Sequence, residues 1–361
     1  MVRVAGVDPG TGSFDLCVLE DGKPMGWKTL PTARVLEKPE ILVESLKAFS
    51  PLDLVVGPSG HGLPLKPLAE LSEDEVRLLA LVKAEDSSTI TGLRRVLAAL
   101  KASQLPVVVI PGVKHLPTVP THRKVNRIDL GTADKLCSAA LAIYDQAKAL
   151  GLGFHEASFI LVELGLGFTA ALAVAEGRIV DGLGGTSGAM GFLSPGALDG
   201  ELAYLIGKIG KENLVGGGVL QVSGMTGKRV EEFFEALKRE NERCRLAFKA
   251  YIERIVGAVA SLVATTGKPR EILFSGRLSR FKPVLDELSS RLSAFAPVRL
   301  VKGLGLPVKE AAQGAALLAD GLAGGENKPL VEVLRVREAS GSVLDHIYIE
   351  GLNLKSMFSQ D

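Results

Sequence analysis

Cysteine is scarce. The chain of 361 residues has three, at positions 17, 137 and 244, with no C-x-x-C spacing. That excludes a disulfide framework and argues against an iron–sulfur or metal site built from thiols; it predicts reduced, packed cysteines in a cytoplasmic protein. Net charge is nearly absent as well, at +1, and the basic residues do not gather in one tract. No global field therefore favours nucleic acid or an anionic membrane. No apolar run is long: the best helical candidate, residues 255–264, is too short to span a bilayer. The first apolar run is broken by Asp8, so nothing there reads as a signal peptide. Asn and Gln are few against Lys, Arg and Glu, a balance that suits a hot environment. What remains is ordinary for a globular protein, 47% hydrophobic and 23% charged, in a chain long enough for two domains.

Against this background one pattern stands out twice. Residues 160–181 read ILVELGLGFTAALAVAEGRIVD: an apolar run, a glycine turn, a second run, a charged tip and a third short run. That is a strand, a tight turn and a hairpin. Residues 2–23 repeat it. An acidic residue ends the first run in both copies, Asp8 and Glu163. Two glycines follow, Gly10 and Gly12 or Gly165 and Gly167, and then a hydroxyl, Ser13 or Thr169, with Thr11 inside the first turn. Glycine lets backbone approach a ligand closely, and successive N–H groups in such a turn form an anion site. One copy alone reads as an ordinary hairpin. Two matched copies predict a pair of phosphate corners.

The rest of the first half alternates strand and helix. A helix is expected over 39–49 and a strand over 52–56, followed by the loop 57–62. His61 there is either a substrate contact or a solvated side chain. Ser72 with three acidic residues opens a helix, and another spans 91–102. A strand over 106–111 leads to a long polar connection, 112–127, carrying His115, His122, Arg123, Lys124 and Arg127. It reads equally as an anion-meeting loop or a basic surface. Asp129 and Asp134 flank the start of a helix running to about 150. They are caps, or they orient an acceptor or metal-bound water.

In the second half, 182–200 is expected as a long glycine-rich loop near the ligand. Lys228 and Arg229 open a helical pair reaching about 266, a placement that opposes the helix dipole unless an anion is met there. A strand over 271–274 ends in Ser275-Gly276-Arg277, a further close-approach turn before a helix. A strand over 298–301 and a small-residue helix over 308–321 follow. Gly314 lies in that helix, suited to packing on a helix or on a flat ligand. VEVLRV and LDHIYI are expected as two short closing strands. The domain boundaries are placed at 1–150, 151–330 and a C-terminal extension 331–361.

The paired hairpins, the strand–Ser-Gly–helix and the small-residue helix resemble the actin, Hsp70 and sugar/acetate kinase superfamily. The resemblance covers most of the chain in order. It implies an α/β protein of two actin-like, ribonuclease H-like domains with an ATP cleft between them. Within it, Gly165-Leu166-Gly167-Phe168-Thr169 followed by Gly177-Arg178-Ile179-Val180-Asp181 is similar to the butyrate kinase pattern. So are Phe192-Leu193-Ser194-Pro195, the Gly216-Gly217-Gly218 loop leading to Arg229, and Glu310-Ala311-Ala312-Gln313-Gly314-Ala315. Residues 131–137 resemble a segment of an archaeal family labelled predicted butyrate kinase. Three departures stand against a direct transfer of substrate: Glu163 where those kinases carry histidine, Gly227 where they carry aspartate, and no arginine in 57–60.

The resemblance implies ATP and Mg²⁺ as cofactors, a small carboxylate as acceptor, and a homodimer. It assigns Asp8 to the metal, with Glu163 and Glu310 as further metal candidates. Gly10, Thr11, Gly12 and Ser13 would hold the terminal phosphate; Gly165, Gly167 and Thr169 the middle one. Ser275, Gly276 and Arg277 would meet the nucleoside, with Gly314 beneath it. Arg229 would neutralise the transferring group, and Asp129 or Asp134 would orient acceptor or metal. A nucleotide-dependent switch on the same fold is the alternative. A redox-enzyme activator on that fold would need cluster cysteines.

Overall fold

The computed structural model describes residues 1–83, 91–354 and 357–358. In chain order the elements are β1 (Arg3–Pro9), β2 (Ser13–Glu20), β3 (Lys23–Pro31), α1 (Thr32–Glu37), α2 (Glu40–Lys47), β4 (Leu54–Val56), β5 (Lys66–Pro67), α3 (Glu73–Ala80), α4 (Thr91–Ala102), β6 (Val107–Val109), α5 (Thr121–Lys124) and α6 (Ala133–Leu150). Then come β7 (Phe159–Leu164), β8 (Thr169–Ala175), β9 (Arg178–Leu183), α7 (Gly200–Ile206), α8 (Val219–Val222), α9 (Val230–Lys238), α10 (Glu242–Thr266), β10 (Glu271–Ser275), α11 (Lys282–Leu292), β11 (Val298–Leu300), α12 (Glu310–Leu322) and α13 (Lys328–Leu334).

The strands form two sheets, in the orders β3-β2-β1-β4-β6-β5 and β11-β10-β7-β8-β9. Read from the hairpin end, the first five strands of one sheet match the other: third, second and first strand of the repeat, then a parallel neighbour. That neighbour is β4 beside β1, paired from Val4 and Leu54, and β10 beside β7, paired from Phe159 and Glu271. The repeated sequence pattern is thus a repeated sheet.

The chain divides into two compact units. The first holds Met1–Ser158, Val174–Asp181 and Val301–Asp361; the second holds Phe159–Ala173 and Gly182–Leu300. Residues 301–354 join the first unit, whereas the expected boundaries place 301–330 with the second domain and 331–361 in a separate extension. The reason is steric. A Cβ built on Gly6 of β1 would fall 2.2 Å from the Ala316 nitrogen, and one on Gly314 would fall 1.8 Å from the Cys137 carbonyl oxygen. Small residues on α12 and the bare backbone of Gly6 let this helix lie directly between β1 and α6.

In the first unit, alternation along the strands sends Ala5, Val7, Phe14, Leu16 and Val18 into one core with Leu42, Leu46, Leu79, Val96 and Leu100. Ser72 and Glu75 form a reciprocal capping box at the start of α3. In the second unit the sparse aromatics are concentrated. Phe192 meets Phe233 and Tyr251 edge-on at 5.3 Å each, and Phe234 stacks on Phe281 at 4.6 Å.

Two expected strands are helix and turn instead. VEVLRV lies largely in α13, where Pro329 starts the helix and Leu330, Val331 and Leu334 are buried on one face. LDHIYI forms no strand. His346 has φ 62°, and Val343, Leu344 and Phe358 form a small cluster against Leu78, Leu81 and Ile128. No helix among the described residues is long and apolar enough to cross a membrane.

Candidate functional site

In the first unit the corner after β1 is tightly built. The Gly10 N–H donates to the Ser13 carbonyl at 3.0 Å, and the Thr32 hydroxyl donates to the Gly10 carbonyl at 2.7 Å. Asp8 ends β1 and Asp15 lies opposite it on β2; both side chains are buried. Between them sits a cation that the sequence pattern did not flag. Lys309 Nζ is 3.1 Å from Asp8 Oδ2, 3.1 Å from Asp15 Oδ2, and donates to the Ser13 carbonyl at 2.7 Å. Asp15 also accepts from the Ser13 hydroxyl at 2.7 Å and the Thr29 hydroxyl at 2.6 Å. A Cβ on Gly10 would fall 1.9 Å from Lys309 Nζ, so glycine is what admits the ammonium.

Asp134, in the first turn of α6, joins this group. It accepts from the Thr132 hydroxyl and from Lys135 Nζ, the latter at 2.7 Å. Burial works against its charge, but Lys135 and Thr132 together hold it below the usual carboxylate range. Asp8 is pushed the other way, to about 6: burial raises it most, Lys309 lowers it, and Asp134 raises it further. Lys309 is held above its ordinary value, because Asp8 and Asp15 outweigh the effect of burial. Mg²⁺ takes one or two carboxylates and completes its shell with phosphate and water. Asp8 and Asp134 fit that demand. Among the described residues no group of three or more His, Cys, Asp or Glu side chains could hold a metal by itself.

The second unit carries the other corner. Glu163 ends β7, opposite Ser275 at the end of β10. Gly276 has φ 86°, and a Cβ there would fall 2.5 Å from the Leu164 carbonyl oxygen and 3.0 Å from Glu163 Oε1. Gly165 comes similarly close to Glu163, at 3.3 Å for a built Cβ. Ser275 Oγ is buried with no hydrogen-bond partner in range. The Thr169 and Tyr251 hydroxyls are also buried, neither with a partner at ordinary geometry. Burial raises Tyr251 above its usual value; Thr169 eases that and Glu163 adds to it. A buried Ser275 hydroxyl without a partner at a glycine corner suits an oxygen-rich ligand.

The expected loop 182–200 is packed onto this corner. The Leu193 and Ser194 N–H groups donate to the Gly167 carbonyl at 3.3 and 3.0 Å, and Gly218 N–H donates to the Leu193 carbonyl at 2.9 Å. The Gly191 backbone lies so close that a Cβ would fall 2.3 Å from the Gly167 oxygen.

The remaining candidates are placed as follows. Asp8, Asp129, Asp134 and Glu310 belong to the first unit, and Glu163, Arg229 and Arg277 to the second. Thr11 and Gly12 are exposed at the tip of the first corner. Asp129 is buried and accepts from the Gly131 N–H at 3.1 Å, shaping the turn before α6. Glu310 is buried in the first turn of α12. Arg277 pairs with Glu231 at 3.0 Å, and Arg229 pairs with the next residue, Glu232, at 3.7 Å, so the two arginines take neighbouring carboxylates in the first turn of α9. Gly314 lies where α12 touches the α6 backbone, a contact that by itself calls for glycine at this position.

The polar connection 112–127 differs from a basic loop facing solvent. Lys114 is buried and donates to the Arg127 and Val343 carbonyls at 2.6 and 2.7 Å. Lys124 donates to the Leu116 carbonyl at 2.9 Å, Arg123 to the Val180 carbonyl at 2.8 Å, and Arg127 to Asp181 at 3.1 Å. These cations hold the fold together.

The family model described as "Protein of unknown function (DUF1464)" matches residues 6–349. The chain belongs to the DUF1464 family. It is also similar to acetate kinase 2 of Aliivibrio fischeri, 30% identical over 193 residues, covering 49% of this chain and 45% of that protein. Acetate kinase 2 of Vibrio parahaemolyticus is 31% identical over 170 residues, 44% of this chain and 42% of that one. The match thus spans less than half the length of these relatives. Among solved structures, Porphyromonas gingivalis acetate kinase superposes with a TM-score of 0.60 at 17% identity, over 88% of this chain and 98% of that one. A propionate kinase from Francisella tularensis gives 0.60 at 15% identity, over 87% and 99%. At such identities the likeness shows the fold, the two-domain actin-like α/β arrangement expected from the sequence.

Proposed function

We propose that this DUF1464 protein is an ATP- and Mg²⁺-dependent phosphotransferase that makes an acyl phosphate from a short-chain carboxylate, with butyrate the first acid to test. The observation that carries the reading is the duplicated corner. In each of two like sheets, an acidic residue ends the first strand and a Gly-x-Gly turn follows it, on the fold that acetate and propionate kinases share. ATP supplies the phosphoryl group and Mg²⁺ neutralises its charge; transfer of this kind depends on positioning and electrostatics more than on covalent catalysis. Asp8 and Asp134 would hold the metal. The Gly10–Ser13 backbone would bind the terminal phosphate, and Gly165, Gly167, Thr169 and Ser275 the phosphates nearer the nucleoside. Arg229 would neutralise charge on the transferring group, and Arg277 would meet the nucleoside.

The test is a hydroxylamine trap for acyl phosphate, run with MgATP and linear acids from two to six carbons. Product above background for at least one acid, lost in Asp8→Ala, is expected. ATP binding with no trapped product across the panel would instead favour a nucleotide-dependent switch. One feature supports that second reading: Lys114, Arg123, Lys124 and Arg127 donate to backbone carbonyls and Asp181, which uses up cations suited to binding a carboxylate.

A further inference from the structure

Lys309 stands at the N-terminus of α12, where the helix dipole disfavours a cation. Its placement is nevertheless enforced from several sides. The Asp145 side chain accepts from the Lys302 and Gly303 N–H groups at 3.0 and 3.1 Å. The Gln313 side chain accepts from the Leu304 N–H at 2.8 Å and donates to the Val308 carbonyl at 2.7 Å. These bonds pin the loop that delivers Lys309 to the glycine corner. There its ammonium is matched to Asp8, Asp15 and the Ser13 carbonyl, one acceptor for each N–H. Asp15 is buried in mid-sheet and satisfied by two hydroxyls as well, which makes it a fixed anchor for the lysine.

We propose that Lys309 is the cationic ligand of the terminal phosphate in this corner, positioned by Asp15 and the Ser13 carbonyl. The inference rests on the phosphoryl-transfer reading and deepens it. Nζ lies within the turn whose backbone would cradle that phosphate, and its side chain is about a third exposed, at 35%, so it can shift toward an incoming anion. Asp8, Asp15 and Asp134 against Lys309 and Lys135 leave the cluster with one net negative charge. A bare polyphosphate is therefore repelled, and its divalent-cation complex is the species that enters. With the metal at Asp8, the ammonium exchanges that carboxylate for a phosphate oxygen while keeping its other two acceptors.

The experiment measures binding of MgATP and MgADP by titration calorimetry to wild type, Lys309→Met, Lys309→Arg and Asp15→Asn. Loss of a charge-assisted hydrogen bond weakens MgATP by about 10- to 100-fold in Lys309→Met, with MgADP changed by less than about 3-fold. Lys309→Arg is expected to recover part of the ATP preference, and Asp15→Asn to reduce it. Lys309→Met leaves two carboxylates facing each other and can unfold the corner. Lys309→Met with Asp15→Asn relieves that, and the ATP-to-ADP ratio reads only the folded fraction. Equal affinity of wild type and Lys309→Met for both nucleotides overturns the inference and leaves the parent reading intact. So does an equal loss of both. Wild-type protein that binds neither nucleotide overturns the parent reading and this inference together.

Discussion

Asp8 is a carboxylate held where folding alone would not choose it. Burial raises it from 3.8 to about 6, more than Lys309 lowers it. Between those two pH values the folded chain keeps a proton that the unfolded chain has released. Its contribution to stability is therefore full below about 4 and is lost as pH rises through 6. At neutral pH the ionised side chain destabilises the fold, and function supplies the reason to keep it. Asp8→Asn is expected to raise the unfolding free energy at pH 7 by about 1–3 kcal/mol, with Asp15 still paired to Lys309. The gain should shrink toward pH 4.5, and metal-dependent ATP binding should be abolished. Urea unfolding at the two pH values measures it. A variant less stable than wild type at pH 7 would show that the pairing with Lys309 outweighs the burial.

At the scale of elements, α12 is the piece on which the first unit depends. It lies on Gly6 of β1, meets α6 through Gly314, and carries Lys309 at its N-terminus to the corner. A methyl at position 314 would overlap the Cys137 carbonyl oxygen, a backbone atom that cannot rotate away. Gly314→Ala is expected to lower stability by about 2–3 kcal/mol, and to weaken any ligand binding at the Gly10 corner through displacement of Lys309. Thermal unfolding together with MgATP titration would detect both; unchanged melting would mean that α12 shifts without strain. This element also shows what the sequence could and could not reveal. Its helical span and small-residue face were legible, as were both hairpins, because strand alternation and glycine turns are local signals. The choice between a helix and a flat ligand under Gly314 was not, since the deciding atom belongs to α6. Lys309 was invisible for the same reason: its acceptor at Ser13 is 296 positions away. Its unfavourable place at a helix start was the available clue. The apolar runs VEVLRV and LDHIYI are too short for periodicity to separate strand from helix or turn.

For the molecule as a whole, residues 301–354 return to the first unit and are fastened there by hydrogen bonds. Lys114 donates to the Val343 carbonyl, the Ser340 N–H donates to the His115 carbonyl at 3.1 Å, and the Asn126 N–H donates to the His346 carbonyl at 2.9 Å. His115 sits inside this junction, only 2% exposed. Burial lowers its pKa to about 4; the Gly112 carbonyl and Asp345 partly offset this, and Lys124 and Lys114 lower it further. Between 6.5 and about 4 the unfolded chain binds a proton that folded His115 refuses, so stability falls as pH falls through that window. The single group accounts for up to about 3 kcal/mol of that loss. Lys114 acts at the other end. Burial lowers it to about 8, so the folded chain releases its proton first and stability rises from about pH 8 toward 10.5. His115→Gln keeps a polar side chain of similar reach and has nothing to titrate. Its urea midpoint is expected to change less between pH 7 and pH 4.5 than that of wild type, with the two proteins converging at the acid end. If both lose stability in parallel over that range, the acid sensitivity lies in the carboxylates, and the junction at His115 opens too late to contribute.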